Sequence, residues 1–215
     1  MEKQEEEEER KEVKIILLGE SGVGKTCIIN RYIKNVFISG STSTVGCSSN
    51  KKKILKDDKK YILNVWDTTG QEKYHSLANL FINGADIVIL VYEIDSKESF
   101  ENLNYWYNCV KEKLEEQSYI LAVVGSKSDL VDNEEVSEEE GKNYADGLKA
   151  NFKLVSAKVD DKGINSLFES LLNEYIEKLS TSKIVDSLDI STSQRTKKKK
   201  KMLLIVYKYI NINIF

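Results

Sequence analysis

Short apolar runs alternate with amphipathic stretches along most of this chain. The runs are Val13 to Leu18, Ile87 to Tyr92, Ile120 to Val124 and, more briefly, Phe152 to Val155. Runs of this length, rich in Val and Ile, fit strands buried on both faces. Helical spacing is clearest where Ile164, Leu167, Phe168, Leu171, Leu172, Tyr175, Ile176 and Leu179 recur at i, i+3, i+4 and i+7. Ser137 with Glu140 offers a capping box for the helix before it. From Ile54 to Trp66, two apolar-rich segments flank Asp57-Asp58 and predict a hairpin. The pattern predicts an α/β fold: a mostly parallel, six-stranded sheet with helices on both faces and one antiparallel edge pair. In such sheets ligands bind beyond the C-terminal ends of the strands.

Charge divides the chain further. Glu2 and Glu5 to Glu9 make residues 1–12 an acidic lead-in without apolar periodicity, expected to be disordered. A main domain follows over residues 13–180. Residues 181–215 form a tail with a basic block, Lys197 to Lys201, and a short apolar end. The formal net charge of -3 gives no electrostatic case for a nucleic-acid partner. Cys27, Cys47 and Cys109 show no paired spacing and read as free thiols of a reducing compartment. No apolar leader or run of membrane-spanning length is read, so a cytoplasmic chain is expected; it is also expected to be a monomer. His75 is the single histidine, which leaves no histidine-based catalytic or metal cluster within one chain.

The chemistry begins directly after the first run. Gly19-Glu20-Ser21-Gly22-Val23-Gly24-Lys25-Thr26 matches G-x-x-x-x-G-K-[ST], the P-loop pattern of nucleoside-triphosphate-binding proteins. Glycines let the backbone wrap closely, so that N–H groups of Ser21 to Cys27 can face phosphate oxygens, and the loop opens a helix whose N-terminus favours anions. Lys25 can reach the β- and γ-phosphates, and the Thr26 hydroxyl is a hard ligand for Mg²⁺. The loop alone does not say which base or which reaction.

Further motifs narrow this. Trp66-Asp67-Thr68-Thr69-Gly70-Gln71-Glu72, Lys73 to Leu77, Leu90 to Ile94 and Leu17-Leu18-Gly19-Glu20-Ser21 resemble the Rab family of Ras-superfamily small GTPases, closest to its early-endosomal branch. The likeness spans about residues 13–179, with the motifs in family order. It implies a switch that binds GTP or GDP with Mg²⁺, hydrolyses GTP slowly and regulates vesicle traffic. Thr26, Thr44 and Asp67 would hold the metal, the Gly70 N–H would sense the γ-phosphate, and Gln71 would orient the attacking water. Asp129 in Ser126-Lys127-Ser128-Asp129 would accept from guanine N1–H and N2–H₂, a donor pair adenine lacks. Ser156-Ala157-Lys158 resembles the family's S-A-K loop, whose central N–H would donate to O6. Phe37 and the stem of Lys127 would sandwich the ring. The resemblance also implies an exchange factor, a GTPase-activating protein and effectors, on the cytosolic face of endomembranes.

Four departures stand out. Ser126 replaces the asparagine that bonds the base and braces the phosphate loop, which is expected to weaken binding. Thr69 replaces an alanine next to the γ-phosphate and is expected to slow hydrolysis. Ser49 replaces an aromatic that joins Trp66 and Phe81 in an effector-facing patch. The last cysteine is Cys109, so prenyl anchoring is not available to the chain as written, and Lys197 to Phe215 could hold an acidic membrane surface instead. These departures motivate a second reading, a nucleotide-bound interaction module that seldom turns over.

Overall fold

Val13 and Ile15 to Leu18 are all fully buried, as a strand with neighbours on both sides and helices on both faces requires. In the computed structural model, which describes residues 11–39, 44, 46–68, 80–115, 118–159 and 162–181, this strand is the centre of a sheet. The acidic residues 1–10 and the tail from 182 lie outside the described residues. The chain divides into two units, 1–172 and 173–215, and the sheet belongs to the first.

The elements run β1 (Lys11–Leu18), α1 (Lys25–Lys34), β2 (Cys47–Lys56), β3 (Lys59–Thr68), β4 (Ile87–Glu93), α2 (Lys97–Glu101), α3 (Leu103–Lys113), β5 (Ile120–Ser126), α4 (Glu138–Gly147), β6 (Asn151–Leu154) and α5 (162–181). The strand order is β2-β3-β1-β4-β5-β6, and β2–β3 is the antiparallel pair among otherwise parallel ones. The order turns about β1: β3 lies on one side and β4 on the other. The crevice at the C-terminal end of β1 is therefore where this architecture receives ligands.

The hairpin predicted around Asp57-Asp58 exists, with both turn residues at positive φ. Its strands are longer than the apolar pattern suggested, because β2 reaches back to Cys47 through Lys51, Lys52 and Lys53. β2 is an edge strand with little to bury, so hydrophobic alternation does not mark it. Likewise β1 starts at Lys11, two residues before the apolar run. Lys52 folds its stem inward, donates to the Tyr32 carbonyl (2.6 Å) and lies 3.7 Å from the Tyr32 ring centre. Tyr32 of α1 stacks on Phe168 of α5, with ring centres 3.8 Å apart.

On the opposite face, Ile16, Leu18, Val88, Leu90, Tyr92 and Val123 pack with Phe100, Leu103, Trp106 and Val110 of α2 and α3, and with Ala145 of α4. Ser137 caps α4, accepting from the Glu140 N–H at 3.2 Å. The expected reciprocal half of the capping box gives way to an ion pair, since the Glu140 carboxylate meets Lys97 of α2. Gly141 lets α4 approach the sheet: a Cβ there would lie 2.3 Å from the Tyr92 hydroxyl and 2.7 Å from the Phe152 ring. Gly141→Ala is therefore expected to cost about 1–3 kcal/mol through overpacking, read as a lower urea midpoint at unchanged slope.

Candidate functional site

β1 ends at Leu18, and Gly19 turns the chain at φ 148° into the loop that opens α1. A Cβ on Gly19 would sit 2.1 Å from the Val91 carbonyl oxygen, so only glycine lets the loop leave the sheet this way. Gly22 and Gly24 also take positive φ, and Gly24 is the N-cap of α1 without a side-chain capping bond. The first turn of α1 carries no acidic residue. Its amides are thus left to an anion, as a phosphate site requires.

Lys25 is buried, and its ammonium donates to the carbonyls of Gly19 (2.7 Å) and Glu20 (2.6 Å), arching the loop around itself. Burial pushes its pKa down to about 8, with Asp67 and Glu20 partly opposing the shift. Glu20 is tied elsewhere, accepting from the Trp106 indole N–H at 3.1 Å. That bond couples the loop to α3.

The predicted metal ligands converge from three segments. Thr26 donates to Asp67 Oδ2 at 2.7 Å, and its hydroxyl lies 2.8 Å from that of Thr44. Asp67 is raised above the ordinary carboxylate range, because burial outweighs the Thr26 bond and the nearby Lys25. Its Oδ1 is buried with no hydrogen-bond partner. Two hydroxyls and a buried carboxylate with an unsatisfied oxygen fit a small hard cation such as Mg²⁺. The end of β3 that carries Asp67 is pinned by Thr68, which donates to the Leu17 carbonyl at 2.6 Å.

On the other side of the loop, a cleft of about 310 Å³ is lined by Gly22, Gly24, Cys27, Phe37, Ser126, Lys127, Asp129, Ala157 and Lys158, with Ile28, Ile38, Ser39 and Leu130. Residues read separately along the sequence thus line one cleft. Ser126 ends β5 fully enclosed, and its hydroxyl donates to the Val23 carbonyl of the phosphate loop. The shorter side chain therefore still braces that loop. Asp129 lines the cleft, accepts from the Ser156 hydroxyl and lies 3.6 Å from the Lys158 ammonium. Ser156 also accepts from the N–H groups of Lys158 (3.2 Å) and Val159 (3.3 Å), which shapes the loop around Ala157.

Two contributors escape sequence reading. Arg31 in the last turn of α1 donates to the carbonyls of Ala157 (2.8 Å) and Lys158 (3.2 Å), joining the phosphate helix to the 156–158 loop. Glu93, at the end of β4, pairs with Lys127, which itself stands in the left-handed region at φ 57°. Only the position of Glu93 at a strand's C-terminal end could have flagged it. Thr69, Gly70 and Gln71 lie outside the described residues. Ser49 stands opposite Trp66 in the β2–β3 register, and the Trp66 ring lies 5.3 Å from that of Phe81.

Residues 14–177 match the family described as Ras family. The chain is 34% identical over 202 residues to the Ras-like GTP-binding protein RYL2 of Yarrowia lipolytica, covering 91% of this chain and 94% of that one. The chain belongs to the Ras family and is a Rab-like small GTPase. It is 38% identical to Ras-related protein Rab-11B of Dictyostelium discoideum (84% and 80% covered) and 37% to human Ras-related protein Rab-17 (77% of each). As a Rab-like GTPase it is a GTP-binding, GTP-hydrolysing switch of vesicle traffic. GTPases of this family bind guanine nucleotide, typically with Mg²⁺, and act through regulators and effectors. Among the described residues of the GTPase, no helix is long and apolar enough to cross a membrane.

Proposed function

We propose that the 310 Å³ cleft holds the guanosine of GTP or GDP, with the phosphates in the Gly19–Thr26 loop and the base read by Asp129 and Ala157. The observation that carries this reading is the common cleft: Gly22 and Gly24 of the loop line the same space as Phe37, Lys127, Asp129 and Ala157. The Asp129 carboxylate accepts from N1–H and N2–H₂, and the Ala157 N–H donates to O6. Thr26, Thr44 and Asp67 would hold Mg²⁺, which when bound would supply positive charge against the phosphates. Lys25 adds a fixed positive charge at the same oxygens. Gln71 orients a water whose oxygen bonds to the γ-phosphorus as the bond to the bridging oxygen breaks, releasing GDP and inorganic phosphate.

Intrinsic turnover is slow on this reading. Arg31, the single arginine among the described residues, is committed to the Ala157 and Lys158 carbonyls and to Asn35, so it does not serve as a finger. An arginine supplied by an activating protein is worth about 10³–10⁵ in rate for GTPases. An exchange factor and effectors read the switch segments around Thr44 and Gln71. Lys197 to Lys201 hold the acidic cytosolic face of an endomembrane. Co-sedimentation with anionic vesicles checks that last assignment, and salt-insensitive binding would remove it.

The nucleotide that co-purifies with the protein tests the base assignment: GDP or GTP is expected, and ATP or ADP would overturn it. Ser126 gives a finer prediction. Ser126→Ala leaves the Val23 carbonyl without its donor in a buried site. The loss of about 1–2 kcal/mol is expected to speed release of a fluorescent GDP analogue about 5- to 30-fold.

A further inference from the structure

Among the described residues, no helix covers one corner of the sheet, formed by β2, β3 and the start of β1. Side chains alternate across a strand, so one face carries Ser49, Lys51, Lys53 and Leu55 of β2, opposite Trp66, Asn64, Ile62 and Lys60 of β3. The β1 residues in register on that face are Glu12, Lys14 and, beside Trp66 where the face is closed, the buried Ile16. The other face of these strands is closed, with Leu63 and Val65 fully buried and Lys52 bonded to α1. The open face is strongly basic. Lys51, Lys53 and Lys60 are exposed, and the Lys14 ammonium lies 5.1 Å from the Trp66 ring centre. Glu12 is its acidic member, and it meets Lys51 at 3.3 Å.

We propose that the acidic segment Glu5 to Glu9 folds back over this lysine face as an electrostatic strap, continuing the pairing that Glu12 begins. Charge complementarity chooses this occupant, since a second copy of the face would bring lysine against lysine. The tether favours it too. The chain joins the face at Lys11, and Glu9 to Glu5 lie within roughly 7–20 Å of extended chain from there. The lysines of β2 stand about 10 Å from β1, two strand spacings away. A segment linked so closely acts at an effective concentration of about millimolar, which an untethered acidic partner must exceed. Docked, the strap borders Ser49 and Trp66.

The test uses the full chain with glutamine at every position from 5 to 9, compared with the unaltered protein by amine acetylation and mass spectrometry. At low salt, Lys51 and Lys53 are expected to react about threefold faster in the variant, while exposed Lys142 on α4 reacts equally in both. At about 1 M salt, where the screening length falls to about 3 Å, the difference should vanish. Zero-length carbodiimide cross-linking should join Glu5 to Glu9 with Lys51 or Lys53 inside one molecule. Equal low-salt reactivity overturns the strap, as do cross-links found only between two copies. Nucleotide retention is measured separately, so a failed nucleotide site and a failed strap give different results.

Discussion

Asp129→Asn is expected to lower GDP affinity about 10²–10⁴-fold and to shift preference toward xanthosine diphosphate. The carboxylate offers acceptors alone, which is what a base with adjacent N–H and NH₂ donors demands. Its position is fixed by the Ser156 hydroxyl and the Lys158 ammonium, so it meets the base already oriented. An asparagine keeps one acceptor for Ser156 but turns an N–H toward guanine's amino group, replacing a charged hydrogen bond with a donor–donor clash. Xanthine carries a carbonyl where guanine carries that amine, so the same amide then finds a partner. Sites built on buried hydrogen bonds discriminate at this level. Competition of GDP and xanthosine diphosphate against a fluorescent analogue measures both arms. Unchanged GDP affinity would remove Asp129 from the base site.

Lys25→Ala is expected to reduce GDP affinity by about 10²–10³-fold or more while leaving the fold intact. The ammonium is nearly fully buried within the Gly19–Thr26 loop, where a charge on a phosphate would be poorly screened. Removing one member of such a pair costs about 3–5 kcal/mol, and each 1.4 kcal/mol is tenfold. The carbonyls of Gly19 and Glu20 also lose their donor, so the loop relaxes even before nucleotide arrives. Equilibrium dialysis reads the affinity, and far-UV circular dichroism confirms that the helices remain. Retention of GDP at near-normal affinity would contradict the phosphate assignment.

The residues behind these two effects differ in how legible they are. Gly19 to Thr26 could be read directly, because close approach to phosphate permits few residue types and the whole loop is contiguous. The motif order along the chain anticipated that Asp129, Ser156 and Ala157 would come together, although nothing local marks a loop carboxylate for the base-reading role proposed for Asp129. Arg31 was illegible. Its partners, Ala157 and Lys158, lie more than a hundred positions away, and an arginine in a helix's last turn has an ordinary role there. Glu93 hid for a similar reason, since its pairing with Lys127 spans two neighbouring parallel strands.

Ser126 shows the division most clearly. The sequence replaces the family's amide with a hydroxyl and thereby predicts a weaker brace, but the hydroxyl still reaches the Val23 carbonyl. The end of β5 lies beside the phosphate loop, where a Cβ on Gly24 would meet the Ser126 side chain at 3.8 Å. How short a side chain can span that gap depends on strand position, which residue identity does not record.

Local sequence determined the alternation of buried strands and amphipathic helices, the phosphate loop and the turn at Asp57-Asp58, because burial, helical periodicity and left-handed backbone constrain residue type position by position. Tertiary structure decided the extent of the lysine-rich edge strand β2, the union of Thr26, Thr44 and Asp67, and the bracing of the base loop by Arg31. Those features are contacts between distant segments. A single residue carries no mark of the partner that folding will place beside it.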